Sequence, residues 1–289
     1  MSQRHPIIAI TGSSGAGTTT VKDTFDKIFA REKVSASFIE GDAFHRYDRE
    51  DMKAKVAEEK LQGRDFTHFH VDANELDTLQ GIFAEYGAHG TGRTRTYVHD
   101  EAEGTKFGQA PGTFTPWREF EPSDLLFYEG LHGCVKHDDL DLARHCDLKI
   151  GVVPVINLEW IQKIHRDRAT RGYSTEAVTD TILRRMPDYV NYICPQFSQT
   201  DINFQRVPIV DTSNPFIARW IPTAAESILV IRFARPQGID FPYLLSMIHN
   251  SYMSRANSIV VPGDKLDLAM QLIFTPLIAK LVERKRRGN

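Results

Sequence analysis

A chain of 289 residues that is 41% hydrophobic, 25% charged and 10% aromatic has the composition of an ordinary globular protein, with length for one large α/β domain. Its formal charge of −3 offers no global basic field for nucleic acid, so substrate anions must be met by local arginine clusters. Three cysteines, Cys134, Cys146 and Cys194, form no C-x-x-C pair and leave an odd count, which points to reduced thiols in a cytoplasmic setting.

Residues 7–11 form a short apolar run of parallel-strand type, reached so early that no signal peptide is expected. A turn rich in glycine and serine follows, and then Val21, Phe25, Ile28 and Phe29 recur at helical spacing. Residues 34–39 read as a second strand ending at Glu40-Gly41-Asp42, so the first 40 residues make a βαβ unit. Residues 43–123 are polar and less regular. They hold a charged helical stretch at 49–60, an apolar-periodic one through Leu76, Leu79, Ile82 and Phe83, and a long loop at 87–116. Apolar runs return at 125–130 and 148–155. A helix through Leu158, Ile161 and Ile164 comes next, then another from 175 to about 186, stopped by Pro187. Later strands are expected at 207–210, 228–233 and 258–261. The closing stretch, 266–282, is broken by Asp267, Gln271 and Lys280, so it reads as a core-facing helix and not a membrane span. The whole, residues 1–289, is expected to be a single α/β domain with a central sheet and helices on both faces.

The turn after the first strand, Gly12-Ser13-Ser14-Gly15-Ala16-Gly17-Thr18-Thr19, fits the phosphate-loop pattern G-x-x-x-x-G-K-[ST] at every place except the lysine. Glycines let backbone amides curl around phosphate oxygens, and the new helix adds unpaired N–H groups and a positive dipole end. Thr19 stands at the hydroxyl place that ligates Mg²⁺, and Thr20 follows it in the same turn. Thr18 stands where the lysine should be and carries no charge.

Ligands of open α/β sheets bind outside the carboxyl ends of the strands. Two acids fall there. Glu129 closes the run 125–128, the place of the acid that orients Mg²⁺ in phosphate-loop enzymes, and Asp42 follows the second strand. Asp42 is a candidate base for an acceptor hydroxyl, with His45, Arg46 and Arg49 close by to hold an anionic acceptor. In the next helix Lys163, Asp167 and Arg171 repeat at i, i+4 and i+8, with Arg166 beside them. Gly172 closes that helix, and Ser174 or Thr175 caps the next, which carries Arg184 and Arg185. Two cationic helices hinged at a glycine describe a lid over a triphosphate.

These residues resemble the phosphoribulokinase and uridine kinase family. The signature K-I-x-R-D-x-x-x-R-G-x-S-x-E at 163–176 carries the resemblance, with E-G-D-x-F-H-R at 40–46, F-Y-E-G-L-H at 127–132 and D-I-N-F-Q-R-V-P-I-V-D-T-S-N-P-F at 201–216. It runs from residue 6 to about 265 and is strongest to the bacterial phosphoribulokinase type. It implies a phosphate-loop kinase fold with a mostly parallel sheet and mixed edges. It also implies transfer of the γ-phosphoryl of ATP to the 1-hydroxyl of ribulose 5-phosphate, giving ribulose 1,5-bisphosphate for carbon fixation in the Calvin cycle. By the same resemblance Asp42 is the base, and Glu129 and Asp167 serve Mg–ATP with Thr19. Residues 12–20, Arg184 and Arg185 then bind ATP. His45, Arg49, Tyr97, His99, His132 and Arg171 belong to the sugar-phosphate site, and Lys163 and Arg166 are the candidates for the missing cation. Bacterial members share the threonine of position 18, and the cysteine of the plant type is replaced here by serine and alanine. Homo-oligomers responsive to NADH and AMP are a further implication, with Arg31, Arg232 and Arg255 matching an effector cluster. A uridine kinase-like nucleoside kinase and a non-catalytic nucleotide-binding regulator are the alternatives. The pairing of His45 with Arg49 speaks against the first, and the presence of Asp42, Glu129 and Asp167 against the second.

Overall fold

The apolar runs become neighbouring strands because each is hydrophobic on both faces and needs a helical layer on either side. In the computed structural model, which describes residues 4–13 and 18–288, five of them run parallel: β1 (Ile7–Gly12), β2 (Ala36–Glu40), β3 (Leu125–Gly130), β4 (Leu148–Val153) and β5 (Ile202–Pro208). Three more, β6 (Ser227–Phe233), β7 (Tyr252–Arg255) and β8 (Ser258–Pro262), extend one edge with antiparallel pairings. The order is β7-β8-β6-β5-β4-β1-β3-β2, so the sheet is mixed at one edge, as expected.

Ile7, Ile8, Ala9 and Ile10 are all fully buried, and their alternation divides the core in two. Ile8 and Ile10 face α1 (Thr18–Glu32) and α8 (Leu266–Gly288), in a cluster with Phe25, Ile28, Phe127 and Phe274. Ile7 and Ala9 face α3 (Leu76–His89), with Leu79, Phe83, Tyr86 and Tyr128. α2 (Arg49–Leu61) starts on an Asp48 cap that accepts from the amides of Glu50 and Asp51, and α3 stops at Gly90 in the left-handed conformation, φ 73°.

Three expectations are corrected, and two elements join those expected. The loop at 87–116 contains α4 (Glu101–Phe107), capped by Asp100. A bridge between Tyr97 and Phe114 and a ribbon pairing Arg93–Thr94 with Arg118–Glu119 tie it down. Pro187 does not stop its helix: α6 runs Thr175–Asp188, following α5 (Ile156–Arg171), and the chain then widens into a single π-turn at Tyr189–Ile193. One lost N–H in the last turn is cheap when the next turn is wider. The strand expected at 207–210 is β5, which begins five residues earlier because polar Asn203, Gln205 and Arg206 mask its period. α7 (Phe241–Met247) and the polar edge strand β7 carry too little apolar pattern to be read from sequence. Among the described residues no helix is long and apolar enough to cross a membrane.

Candidate active site

Register builds the site. Glu129 lies opposite Ile10 of β1 on one side and Glu40 of β2 on the other, so the acid closing β3 stands between the start of the phosphate loop and the turn after β2. That turn, Gly41–Phe44, is one 3₁₀ turn carrying Asp42. It hugs the end of β3 so closely that a Cβ at Gly41 would meet the Tyr128 hydroxyl at 2.7 Å and the Gly130 Cα at 2.8 Å. Glycine at both 41 and 130 is what brings Asp42 to the strand ends.

Asp42 is half-open to the cleft, between two imidazoles. His45 Nε2 lies 3.3 Å from Oδ1 and His99 Nε2 3.6 Å from Oδ2. The other nitrogen of His45 lies 2.9 Å from Asn74 Oδ1, and the Asn74 amide donates to the carbonyls of His68 and His70, which fixes its orientation. Acceptors therefore face both nitrogens of His45. Burial pushes the Asp42 carboxyl up. The His45 hydrogen bond and the charges of His45 and His99 outweigh it and hold the group well below the usual carboxylate range. His68 stacks on His45 at 4.0 Å between ring centroids, and burial beside that ring pushes its pKa down to about 3.

The sequence reading missed His68, and also Arg95, which braces the turn. Its guanidinium donates to the carbonyls of Ala43 (2.7 Å) and His45 (3.1 Å), pairs with Glu75 at 3.2 Å and lies 3.9 Å from the Phe114 ring centre. Arg49 donates to the His99 carbonyl at 2.7 Å, and its own amide reaches the Gly112 carbonyl. It thereby ties the loop that carries His99 to α2. The buried Tyr97 packs edge-on to both His45 and His99. His132 is fully enclosed, with Nε2 3.0 Å from the Phe69 carbonyl, and burial pushes its pKa down to about 4. It stands behind the cleft, held on the backbone.

On α5, Lys163 and Asp167 are buried, with side chains 7% and 3% exposed, and Lys163 Nζ meets Oδ2 at 2.5 Å. Arg166 Nε reaches the other oxygen at 3.2 Å. The cationic face of the expected lid is thus partly interior, and Lys163 lines a cavity together with Ile156, Trp160 and Ile182. Burial, then the nearby Arg185 charge, pushes Lys163 down to about 8 against the pull of Asp167. The expected hinge is present, with Gly172 at φ 67° ending α5 and Ser174 accepting from the Ala177 amide to start α6. Arg184 pairs with Asp180 of its own helix at 2.8 Å, whereas Arg185 turns inward and lies 5.2 Å over the Phe69 ring. Glu159, also missed, accepts from the Ser13 hydroxyl at 2.5 Å. Ser14, Gly15, Ala16 and Gly17 of the phosphate loop, and the side chains of Thr18, Thr19, Thr20 and Arg171, lie outside the described residues.

The three expected effector arginines are not brought together. Arg232 and Arg255 both pair with Ser258 of β8 and are exposed. Arg31 lies in the layer of α1 and α8, donating to Gln271 and Thr275, on the face opposite to that of Arg232. For Mg²⁺ the donor chemistry fits. Glu129 offers hard carboxylate oxygens, and Asp167, whose oxygens meet Lys163 and Arg166, would have to release one of them to join it; Mg²⁺ takes one or two carboxylates with phosphates and water in place of a full protein cage. No cluster of three or more His, Cys, Asp or Glu side chains placed to hold a metal occurs among the described residues.

A mostly parallel sheet with a phosphate-loop sequence after its first strand, acids at the adjacent strand ends and two cationic helices parted at Gly172 define a P-loop kinase. The family model described as Phosphoribulokinase / Uridine kinase family matches residues 7–213, and the chain belongs to that family. It is 82% identical over 287 residues to the phosphoribulokinase of Rhizobium meliloti, covering 99% of both chains. It is 68% identical over 290 residues to that of Nitrobacter vulgaris, covering all of both. The solved structure of the phosphoribulokinase from Rhodobacter spheroides aligns with a TM-score of 0.91 at 67% identity, over 98% of this chain and 99% of that one.

Proposed function

We propose that the chain is a phosphoribulokinase that transfers the γ-phosphoryl of ATP to the 1-hydroxyl of ribulose 5-phosphate. The observation that carries this reading is Asp42 at the strand ends, flanked by His45 and His99, which hold its carboxyl well below the usual range. An acid held so far below its usual range is a weak ground-state base. It orients the hydroxyl and takes its proton only as the O–P bond forms, which suits a loose phosphoryl-transfer transition state. Products are the 1,5-bisphosphate, ADP and the proton left on Asp42.

Lys163 and Arg166 supply the charge that Thr18 lacks. Mg²⁺, held by Glu129 and Asp167, would neutralise the phosphate oxygens. Arg49 and Arg171 grip the 5-phosphate, His45 holds Asp42 toward the acceptor hydroxyl, and Tyr97 walls the sugar pocket. A cytoplasmic homo-oligomer responsive to NADH and AMP belongs to the same proposal, as does a single domain over 1–289. A coupled ADP-release assay tests it. Turnover is expected with ribulose 5-phosphate and not with uridine or without acceptor. Turnover with uridine would instead mark a nucleoside kinase, and no turnover with any acceptor a regulator.

A further inference from the structure

Gln196 stands outside the residues that the sequence assigned to the site, yet its side chain joins three parts of it. It sits on the 3₁₀ turn Cys194–Ser198, just past the π-turn that follows α6, and is 1% exposed. Oε1 accepts from the Thr11 hydroxyl and from the Cys134 amide, both at 3.0 Å. Nε2 donates to the carbonyls of Leu131 at 2.9 Å and Tyr192 at 2.8 Å. Two donors face the oxygen and two carbonyls face the nitrogen, so only one orientation of the amide fits, and its capacity is full. Thr11, fully buried, precedes Gly12, where the phosphate loop begins, and lies opposite Gly130 of β3. Its hydroxyl also lies 3.0 Å from the Leu131 carbonyl. Leu131 is two residues past Glu129, and Tyr192 belongs to the π-turn at the foot of α6. A buried hub with every hydrogen bond made holds its neighbours at fixed separations, since a shift leaves a buried group unpaired. The acceptor half is braced by other residues. Arg95 and Asn74 hold the turn of Asp42 and His45, and neither is a partner of Gln196.

We propose that Gln196 is a positioning residue for the nucleotide half of the site: through Thr11, Leu131 and Tyr192 it fixes the entry of the phosphate loop against the strand end of Glu129 and the foot of the lid helix. ATP then meets a cradle that is already placed, while the acceptor turn is held independently. This rests on ATP being the donor.

Thr11→Val removes the hydroxyl at nearly constant volume, Thr11→Ser keeps it, and Gln196→Glu turns an oxygen toward two carbonyls. Mg–ATP binding is measured by calorimetry without acceptor, and kcat and both KM values by the coupled ADP assay. Thr11→Val and Gln196→Glu are each expected to weaken ATP binding by about tenfold or more, the worth of a lost buried hydrogen bond. KM for ribulose 5-phosphate should stay within about twofold of wild type in both. Thr11→Ser should bind ATP within about threefold of wild type. The two impaired substitutions combined should cost less than the product of their single losses, because both break one contact. A hub that served stability alone would lower the thermal midpoint and leave ATP affinity and both KM values of the folded enzyme unchanged. That result would overturn the proposal, as would full multiplicativity of the pair or a loss shared equally by ATP and the sugar phosphate. Should Gln196→Glu not fold, Thr11→Val against Thr11→Ser decides alone, and equal ATP affinities of those two would overturn it. Absence of ATP binding by the wild-type chain would instead overturn the kinase reading, and the proposal with it.

Discussion

Asp42 shows how much one side chain owes to neighbours that a sequence window does not contain. Its place was legible because an acid two residues past an apolar strand falls at a ligand-binding edge. His45 lies three residues on and could be paired with it, but His99, His68, Asn74 and Arg95 arrive through folding alone. Because the folded carboxyl sits below its ordinary value, it adds stability that is present above the unfolded value of about 3.9 and lost as pH falls through the folded one. Asp42→Asn is expected to lower kcat by roughly 10²–10⁴ with ATP affinity unchanged, since the base meets the acceptor and not the nucleotide. Removing His45 tests the charge argument. In His45→Ala burial becomes the dominant influence on Asp42, so the acidic limb of the pH profile of kcat should move to higher pH; an unmoved limb would sink the assignment. The thiols give a simpler expectation. Burial pushes Cys134 up to about 12, Cys146 well above its ordinary value, and Cys194 upward too. Thiolates are the reactive form, so a disulfide-forming oxidant should leave turnover intact, and inactivation reversed by reductant would contradict this.

At the scale of elements, strands and the hinge were readable while the polarity of α5 was not. Apolar runs and Gly172 are local signals, and β3 was bounded correctly from them. The stretch at 163–171 read as the cationic face of a lid over a triphosphate, a pattern that says nothing of how deeply each side chain is buried. Here α6 and Phe69 close over the lysine. That burial sharpens the expected effect of mutation. Lys163→Ala removes one member of a buried pair and leaves Asp167 with only part of its compensation, so a stability loss of about 3–5 kcal/mol is expected beside the loss of kcat. Arg166 is more exposed, and Arg166→Ala should lower kcat with a much smaller change in melting. Both should cost more kcat than Thr18→Ala, which removes only a hydroxyl. Truncating Arg49 should raise KM for the sugar phosphate and, through the lost His99 tether, lower kcat as well. If Thr18→Ala proved the most damaging and Lys163→Ala harmless, the charge missing from the phosphate loop would have to come from another residue.

For the whole molecule, the decisive contact joins the two ends of the chain. The family match stops at residue 213, yet α8, far beyond it, supplies Ala269, Met270, Ile273, Phe274, Ile278, Leu281 and Val282 to the larger core cluster. Phe274 is fully buried, with ring centroids 4.9 Å from Phe25 of α1 and 5.4 Å from Phe204 of β5. One side chain thus spans the first helix, the last helix and the middle of the sheet. Sequence periodicity foretold a core-facing helix there but could not say which layer it would complete, because that depends on which face of β1 and β5 is still open. Phe274→Ala is expected to cost about 3–5 kcal/mol, the usual range for emptying a buried aromatic site. If residues 1–289 are one cooperative unit, that cost must appear everywhere at once. Far-ultraviolet dichroism reads the sheet and helices together, while tryptophan emission reads Trp117 beside the acceptor loop, Trp160 on α5 and Trp220 after β5. Both should show one transition, shifted downward by the same interval in Phe274→Ala, with kcat near wild type well below the melting range because the site lies at the strand ends and not beside α8. Two transitions, only one of them displaced, would mean that the lid and acceptor elements unfold independently of the α1–α8 core.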